Sequence, residues 1–193
     1  MKITCLLSSP RKNGNSSTLA GHFCNAAERL GAEVTTFALN DLNYRGCQGC
    51  MACKTKLDGC ALKDDLSPVL ETVREADVLV MASPVYFGDV SSQLKGFIDR
   101  TYSFLAPDYL TNLTNKSRLV PGKILVMVLT QGNAEETSFA DIFPRYAAML
   151  SWQGFEGHVV RGCGVREVGE INERQEFLAS AEKMAGQLLT GKF

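Results

Sequence analysis

A segment near the start of the chain, Lys2–Gly31, has the sequence KITCLLSSPRKNGNSSTLAGHFCNAAERLG. Its first part, Lys2–Leu7, is a short apolar run that is typical of a buried strand. Apolar residues then recur at helical spacing from Ser16 to Leu30, and Gly31 is a typical residue just beyond the end of a helix. A polar loop joins the two elements. This order of strand, loop and helix predicts the first unit of an α/β fold.

The same alternation continues along the rest of the chain. The further predicted strands are Glu33–Leu39, Asp77–Ala82, Lys123–Thr130 and Phe155–Arg161, and the further predicted helices are 65–75, 91–105, 136–150 and 171–189. Such units predict a parallel sheet with helices on both faces. Ligands of these sheets bind at the carboxyl ends of the strands, so we expect the site in the loops after strands one, three and four.

The composition narrows the class of protein. The chain has 193 residues, of which 45% are hydrophobic and 21% charged, as in a soluble globular protein, and we expect one domain over residues 1–193. The formal net charge of -1 favours neither nucleic acid nor a membrane surface as partner. No apolar run approaches the ~20 residues of a membrane span, and the first residues lack a signal-peptide pattern. We therefore expect a cytoplasmic protein.

The loop after the first strand, SSPRKNGNSSTL (Ser8–Leu19), is neither a GxGxxG sequence nor a P-loop. It is rich in hydroxyl groups and ends where a helix begins. A helix N-terminus has free N–H groups and a partial positive charge, which suit a phosphate. The candidate phosphate ligands are Ser9, Arg11, Asn15, Ser16 and Ser17. The alternative is a plain polar turn in which Ser16 is the N-cap.

The segment after the third strand is SPVYFGDVSSQLKGFIDR, Ser83–Arg100. Pro84 favours a rigid extended turn, and Gly88 allows close approach to the backbone. Tyr86 and Phe87 place aromatic side chains at the expected ligand edge, where a flat ring can bind. Alternatively, these two side chains only pack the loop against the next helix.

The helix that follows this loop carries Lys95, Asp99 and Arg100. We interpret these three residues as a solvated or interface face of the helix.

Together, the two loops resemble those of the NADPH-dependent FMN reductase family, and the resemblance covers most of the chain. It implies a flavodoxin-like three-layer sandwich with a five-stranded parallel sheet of order 2-1-3-4-5. It also implies FMN, with the phosphate in the first loop and the isoalloxazine edge on Pro84, Val85, Tyr86, Phe87 and Gly88. TQGN (Thr130–Asn133) matches the third flavin-side loop of the family, with Thr130 and Gly132 as candidate contacts; alternatively it is an ordinary turn. The family further implies a homodimer or homotetramer.

Four of the seven cysteines lie in GCQGCMACKTKLDGC, Gly46–Cys60. The CxxCxxC part is similar to the ligand run of bacterial ferredoxins, but the fourth cysteine follows after a longer gap and precedes no proline. The spacing resembles the compact motif of iron-sulfur flavoproteins, a subgroup of the same family. That resemblance implies a [4Fe-4S] cluster in a cysteine-rich loop at 46–64, with the ligands Cys47, Cys50, Cys53 and Cys60. Structural zinc, a redox disulfide between Cys53 and Cys60, and a loop without metal are the alternatives.

Three functional hypotheses follow. In the first, the protein passes electrons between FMN and a [4Fe-4S] cluster and receives them from a small-molecule or ferredoxin-like donor. In the second, it is a cluster-free FMN or quinone reductase with NAD(P)H as donor. In both, the cofactor carries the chemistry and no catalytic side chain is expected. The third is a non-catalytic thiol or zinc redox sensor. Hydrolysis is unsupported, because the sequence has no nucleophile elbow and no HExxH.

Overall fold

The computed structural model describes residues 1–112 and 114–191. Its parallel strands are β1 (Lys2–Leu7), β2 (Glu33–Ala38), β3 (Val78–Tyr86), β5 (Lys123–Gln131) and β6 (Phe155–Cys163), and β4 (Asp89–Val90) pairs antiparallel with β3. The helices are α1 (Asn15–Arg29), α2 (Ala52–Thr55), α3 (Leu66–Glu75), α4 (Ser92–Arg100), α5 (Ile142–Ser151) and α6 (Gln175–Thr190). The sheet order β2-β1-β3-β5-β6 confirms the predicted order 2-1-3-4-5 of the parallel strands.

Each face of the sheet is covered by its own hydrophobic core. Alternate residues of β3 point to opposite faces, with Val78 and Val80 on one side and Leu79 and Met81 on the other. The first core includes buried residues of α1 and α6, and the second includes buried residues of α3, α4 and α5. This arrangement is the three-layer sandwich that the apolar strands predict, since a strand covered on both faces needs apolar residues on both.

The third strand is longer than predicted. It continues beyond Ala82 to Tyr86, because Val85 and Tyr86 pair with Val90 and Asp89 of β4. The expected flavin loop is therefore a short hairpin at the end of a central strand. The helix after it is shorter than predicted, since α4 ends at Arg100 and continues as a 3-10 turn to Phe104.

The interpretation of the α4 surface is right for two of its three residues. Lys95 and Asp99 form an exposed ion pair, with 2.6 Å between Nζ and Oδ1. Arg100, in contrast, is only 1% exposed, so its assignment to a solvated or interface face is wrong. The reason is that the cysteine-rich loop covers the end of α4 and supplies Asp64 as partner of the guanidinium.

Among the described residues, no helix has both the length and the hydropathy needed to cross a membrane.

Candidate functional sites

A cavity of ≈ 360 Å³ opens at the carboxyl ends of the parallel strands. This is the edge at which ligands of parallel α/β sheets bind. Most of the predicted flavin contacts line it, namely Ser9, Arg11, Asn15, Pro84, Val85, Tyr86, Thr130 and Gly132. Three separate loops of the sequence are thus brought to a single site, which we call the flavin cavity.

Two predicted contacts lie in the turn between β3 and β4 instead. Phe87 and Gly88 both have positive φ, at 51° and 83°, as in the type I′ turn of a two-residue hairpin. Phe87 is fully exposed, so the alternative that it packs the loop against the helix is wrong. Tyr86 is half-exposed at the rim of the flavin cavity.

The two remaining predicted contacts are serines at the start of α1. Ser17 lines an adjoining cavity of ≈ 550 Å³, which it shares with Ser9 and Arg11. Ser16 is buried, and its Oγ has no hydrogen-bond partner. The N-cap of α1 is Gly14, so the alternative that Ser16 is the N-cap is wrong.

The first turn of α1 is shaped by the absence of a side chain at Gly14. A Cβ atom on this residue would lie 2.4 Å from Ser9 Oγ and 3.2 Å from the carbonyl oxygen of Arg11. No side chain caps the helix start, so the free N–H groups of its first turn keep their partial positive charge. The buried hydroxyl of Ser16 lies in the same turn. This end of α1 therefore provides several donors that no described residue satisfies.

Asn15 has a structural role that the sequence did not reveal. Its Nδ2 donates to the carbonyl oxygen of Glu167 at 2.8 Å, and its Oδ1 accepts from the backbone N–H groups of Gly169 and Ile171. The side-chain amide is thus engaged with the loop after β6. It positions that loop against the first loop, and one of the two N–H groups of Nδ2 remains for a phosphate.

The loop after β6 was missed as part of the site. Its residues Val165, Arg166 and Glu167 line the flavin cavity. Arg11 Nη1 donates to the carbonyl oxygen of Arg166 at 2.7 Å, and Arg166 Nε donates to that of Gly132 at 3.2 Å. The sequence GCG after the last predicted strand could have indicated this loop. Ligands bind at the carboxyl ends of parallel strands, and this holds for the last strand as well as for the others.

A second cavity contains all four cysteines of the cysteine-rich loop. Cys47, Cys50, Cys53 and Cys60 line it together with residues at the end of α4, and its volume is ≈ 30 Å³. Gly49 and Met51 have positive φ, and these two bends let the chain fold back between successive cysteines. All seven cysteines are free thiols. We call this space the cysteine cavity.

The four thiols line the same cavity. Within 1–112 and 114–191, no three His, Cys, Asp or Glu side chains are arranged to hold one metal ion. Four cysteine thiolates are the ligand set of a [4Fe-4S] cluster, so the chemistry of the donors fits that group.

Lys54 attaches the cysteine-rich loop to the turn after α4. Its Nζ donates to the carbonyl oxygens of Tyr102 and Leu105, both at 2.6 Å, and lies 4.2 Å from the centre of the Tyr102 ring. Burial lowers the pKa of Lys54. Burial also raises the pKa of the neighbouring Cys53 thiol, and the positive charge of Lys54 partly offsets that rise. A metal that binds here must therefore displace a proton from Cys53.

Arg100 forms the inner wall of the cysteine cavity. It makes a bidentate pair with Asp64, at 2.8 Å from Nη1 to Oδ2 and 3.2 Å from Nη2 to Oδ1. Burial by itself would raise the pKa of Asp64, but hydrogen bonds from Arg100 and from the backbone N–H of Arg45 outweigh it and hold this pKa low. The pair is thus ionised, with the cation facing the thiols.

The two cavities lie at opposite ends of α4. The helix begins at Ser92, directly after the hairpin that follows the flavin cavity, and ends at Arg100 in the cysteine cavity. With a rise of about 1.5 Å per residue, its nine residues are roughly 13 Å long.

A parallel sheet of this order, with a ligand cavity at its carboxyl edge, defines the flavodoxin-like class of α/β proteins. The sequence profile of the NADPH-dependent FMN reductase family matches residues 1–151, and the chain belongs to this family.

The chain is also similar to proteins named iron-sulfur flavoprotein. One from Methanocaldococcus jannaschii is 39% identical over 101 residues, and one from Methanosarcina thermophila is 36% identical over 101 residues. Each match covers 52% of this chain and 52% of the relative. The chain thus matches about half the length of these relatives.

Solved structures of reductases have the same fold. An NAD(P)H:quinone oxidoreductase from Methanothermobacter marburgensis is 19% identical, with a TM-score of 0.73 over 97% of this chain and 96% of that one. An FMN-dependent NADH-azoreductase from Bacillus anthracis, solved in complex with FMN, is 18% identical, with a TM-score of 0.69 over 98% and 100% of the two chains. These likenesses confirm the flavodoxin-like fold.

Proposed function

We propose that this protein is an FMN-dependent oxidoreductase whose cofactor binds in the flavin cavity. The observation that carries the proposal is the first turn of α1, where free N–H groups and the unpartnered Ser16 hydroxyl lie beside a cavity lined by four loops. This donor set suits a phosphate monoester. Membership of the FMN reductase family supports FMN as the molecule that carries this phosphate.

The residues of the cavity divide into two groups by their chemistry. The phosphate end comprises the start of α1, where Ser9, Arg11 and Ser17 line the two adjoining cavities and the buried hydroxyl of Ser16 lies in the same turn. The ring end comprises Pro84, Val85, Tyr86, Thr130 and Gly132, with Arg166 at the rim. Bound FMN supplies one- and two-electron chemistry, and the chain binds it, orients it and limits the access of water.

We further propose that the cysteine cavity holds a [4Fe-4S] cluster on Cys47, Cys50, Cys53 and Cys60. The proposal rests on the shared cavity of the four thiols and on the names of the relatives. A cluster held there supplies one-electron chemistry. The protein would then exchange electrons between the two centres, with a small-molecule or ferredoxin-like donor.

An oligomer gives the two proposed centres a second way to meet. Each chain carries both cavities, so a second copy can bring its cysteine cavity close to this flavin cavity. We therefore propose a homodimer or homotetramer. Residues 1–193 are proposed to form a single cytoplasmic domain in each copy.

A second candidate function is a cluster-free reductase that takes hydride from NAD(P)H. It is favoured by the name of the family and by the half-exposed Tyr86 at the rim, which leaves the flavin cavity open to a second ring. The third candidate, a non-catalytic thiol or zinc sensor, is supported only by the exposure of Cys47 and Cys50.

The deciding experiment measures iron, acid-labile sulfide and zinc per FMN after purification without oxygen. About four iron and four sulfide per flavin support the cluster. Flavin without metal favours the NAD(P)H reductase, and zinc without iron favours the sensor. Metal without flavin refutes the assignment of the flavin cavity.

A matched pair of cysteine variants separates the two sites. Cys47→Ala should abolish the iron content and leave FMN bound, because Cys47 lines only the cysteine cavity. Cys24→Ala is the control, because Cys24 is buried in the core between α1 and the sheet. This variant should change neither the iron content nor the FMN content. Loss of FMN in Cys47→Ala would contradict the separation of the sites.

A further inference from the structure

A buried cation faces the cysteine cavity. The side chain of Arg100 is 0% exposed, although arginine is almost never fully buried unless it is paired. Its partner, Asp64, belongs to the segment that follows the last cysteine of the loop. The structure therefore fixes a positive charge, with its counter-ion behind it, directly at the wall of the cavity.

The hydrogen bonds of this guanidinium leave one donor free. A guanidinium has five N–H groups. Nη1 donates to Asp64 Oδ2 and to the carbonyl oxygen of Arg45, and Nη2 donates to Asp64 Oδ1 and to the carbonyl oxygen of Leu62. The Nε–H is buried and has no partner. Because a buried, unpaired donor of a charged group is costly, this N–H is expected to have a function.

Cys60, the fourth cysteine of the motif, lines the cysteine cavity together with Arg100. The residue with the free donor and the residue with the fourth thiol therefore face the same cavity.

We propose that Arg100 is a positioning residue for the cysteine cavity, which directs its charge and its free Nε–H to the Cys60 sulfur and so favours the reduced state of the bound group. The inference rests on the proposed [4Fe-4S] cluster. When that group accepts one electron from a reductant, it becomes more negative by one charge. A fixed cation in a buried site stabilises that state more than the oxidised one.

The ion pair of Arg100 and Asp64 allows a test in which two variants should shift the midpoint potential of the cluster in opposite directions. Arg100→Gln removes the cation and leaves the Asp64 carboxylate, so the midpoint potential of the cluster should become more negative. Asp64→Asn removes the carboxylate and leaves the cation, so the potential should become more positive. In the native chain the backbone N–H groups of Arg45 and Leu66 donate to different oxygens of Asp64, and the single amide oxygen introduced by Asp64→Asn can still accept one of these two hydrogen bonds.

The experiment is a dithionite titration of the anaerobically purified full chain, followed by electron paramagnetic resonance. We expect each variant to change the ratio of reduced to oxidised cluster at a fixed potential by at least about tenfold, equivalent to about 59 mV for one electron. Lys56→Gln is the matched control, because Lys56 is an exposed cation of the same loop and is screened by solvent. The FMN potentials serve as internal reference and should stay unchanged.

The outcomes separate the inference from the proposed function. Wild-type protein without iron refutes the proposed cluster and this inference with it. If the protein contains iron but the midpoint potentials of the two variants shift in the same direction, or not at all, the inference alone is overturned. Opposite shifts would not result from a general loosening of the loop, which should affect both variants alike. If Arg100→Gln does not fold, Arg100→Lys replaces it, because lysine keeps the charge but has no Nε–H; it should give a smaller negative shift.

Discussion

Removing the hydroxyl of Ser16 should affect FMN binding without weakening the protein itself. The Ser16 Oγ is buried and has no hydrogen-bond partner among the described residues. Ser16→Ala therefore breaks no bond, and it removes a buried polar group whose desolvation costs about 1–3 kcal/mol. Alanine is also the better helix former. We expect the free energy of unfolding of the flavin-free variant to stay the same or to rise.

The flavin-bound protein should respond differently. If the hydroxyl donates to the phosphate of FMN, its loss removes a hydrogen bond to a charged group, which is worth about 1.5–3 kcal/mol. At 1.4 kcal/mol per factor of ten, the Kd for FMN should rise roughly 10- to 100-fold. The two effects thus have opposite directions in one variant.

The assay combines urea unfolding of the flavin-free protein with a titration of FMN fluorescence. Ser8→Ala is the matched control, because Ser8 is also a buried serine of the first loop but is fully bonded. Its Oγ donates to the carbonyl oxygen of Ala82 and accepts from Ser91 Oγ, both at 2.8 Å. This variant should lose about 1–3 kcal/mol of stability and keep its Kd. A Ser16→Ala protein that is destabilised and binds FMN normally would refute the assignment of the phosphate end.

Further predictions concern the backbone and the ion pair. Gly14→Ala should weaken FMN binding more than about tenfold, because the new Cβ would displace Ser9 Oγ, 2.4 Å away; an unchanged titration of FMN fluorescence would contradict this. Phe87→Asn should stabilise the flavin-free protein by about 0.5–1 kcal/mol in urea unfolding, since asparagine suits the positive φ of the turn; a loss of stability would mean that Phe87 is covered in solution. Asp64→Asn should cost about 3 kcal/mol at pH 7, because it leaves Arg100 buried without its counter-ion. The pKa of Asp64 in the folded protein is lowered, so the ion pair stabilises the fold above the ordinary carboxyl pKa of about 3.9. This contribution is lost as the pH falls below that value toward the pKa in the folded protein. If the difference in the free energy of unfolding between Asp64→Asn and wild type is the same at pH 7 and pH 3, the ion pair is contradicted.

The sheet was predictable because its signals are local. Each strand is a short apolar run, and Val78–Met81 show why: these residues alternate between two cores and must all be apolar. The hairpin at Phe87 was not predictable, since asparagine or aspartate, not phenylalanine, normally precedes the glycine of a type I′ turn. The boundary of the third strand was missed for the same reason.

What the sequence does not reveal at the sites are contacts between residues that are distant along the chain. Arg100 ends an amphipathic helix, where a charged residue usually faces solvent, and only Asp64, 36 residues earlier, explains its burial. The bond from Asn15 to Glu167, 152 residues later, was likewise not predictable. Local patterns contain no information about such partners.

Helix α4 links the two cavities more firmly than their separation suggests. The start of the cysteine-rich region runs along this helix: Tyr44 donates its hydroxyl to the carbonyl oxygen of Gln93, and Arg100 Nη1 donates to that of Arg45. Between these contacts, a Cβ on Gly96 would lie only 3.3 Å from the Tyr44 ring, which is tighter than an ordinary van der Waals contact. A displacement of α4 by a ligand in the flavin cavity would therefore move the wall of the cysteine cavity as well. Within one chain the two cavities are thus linked mechanically through α4.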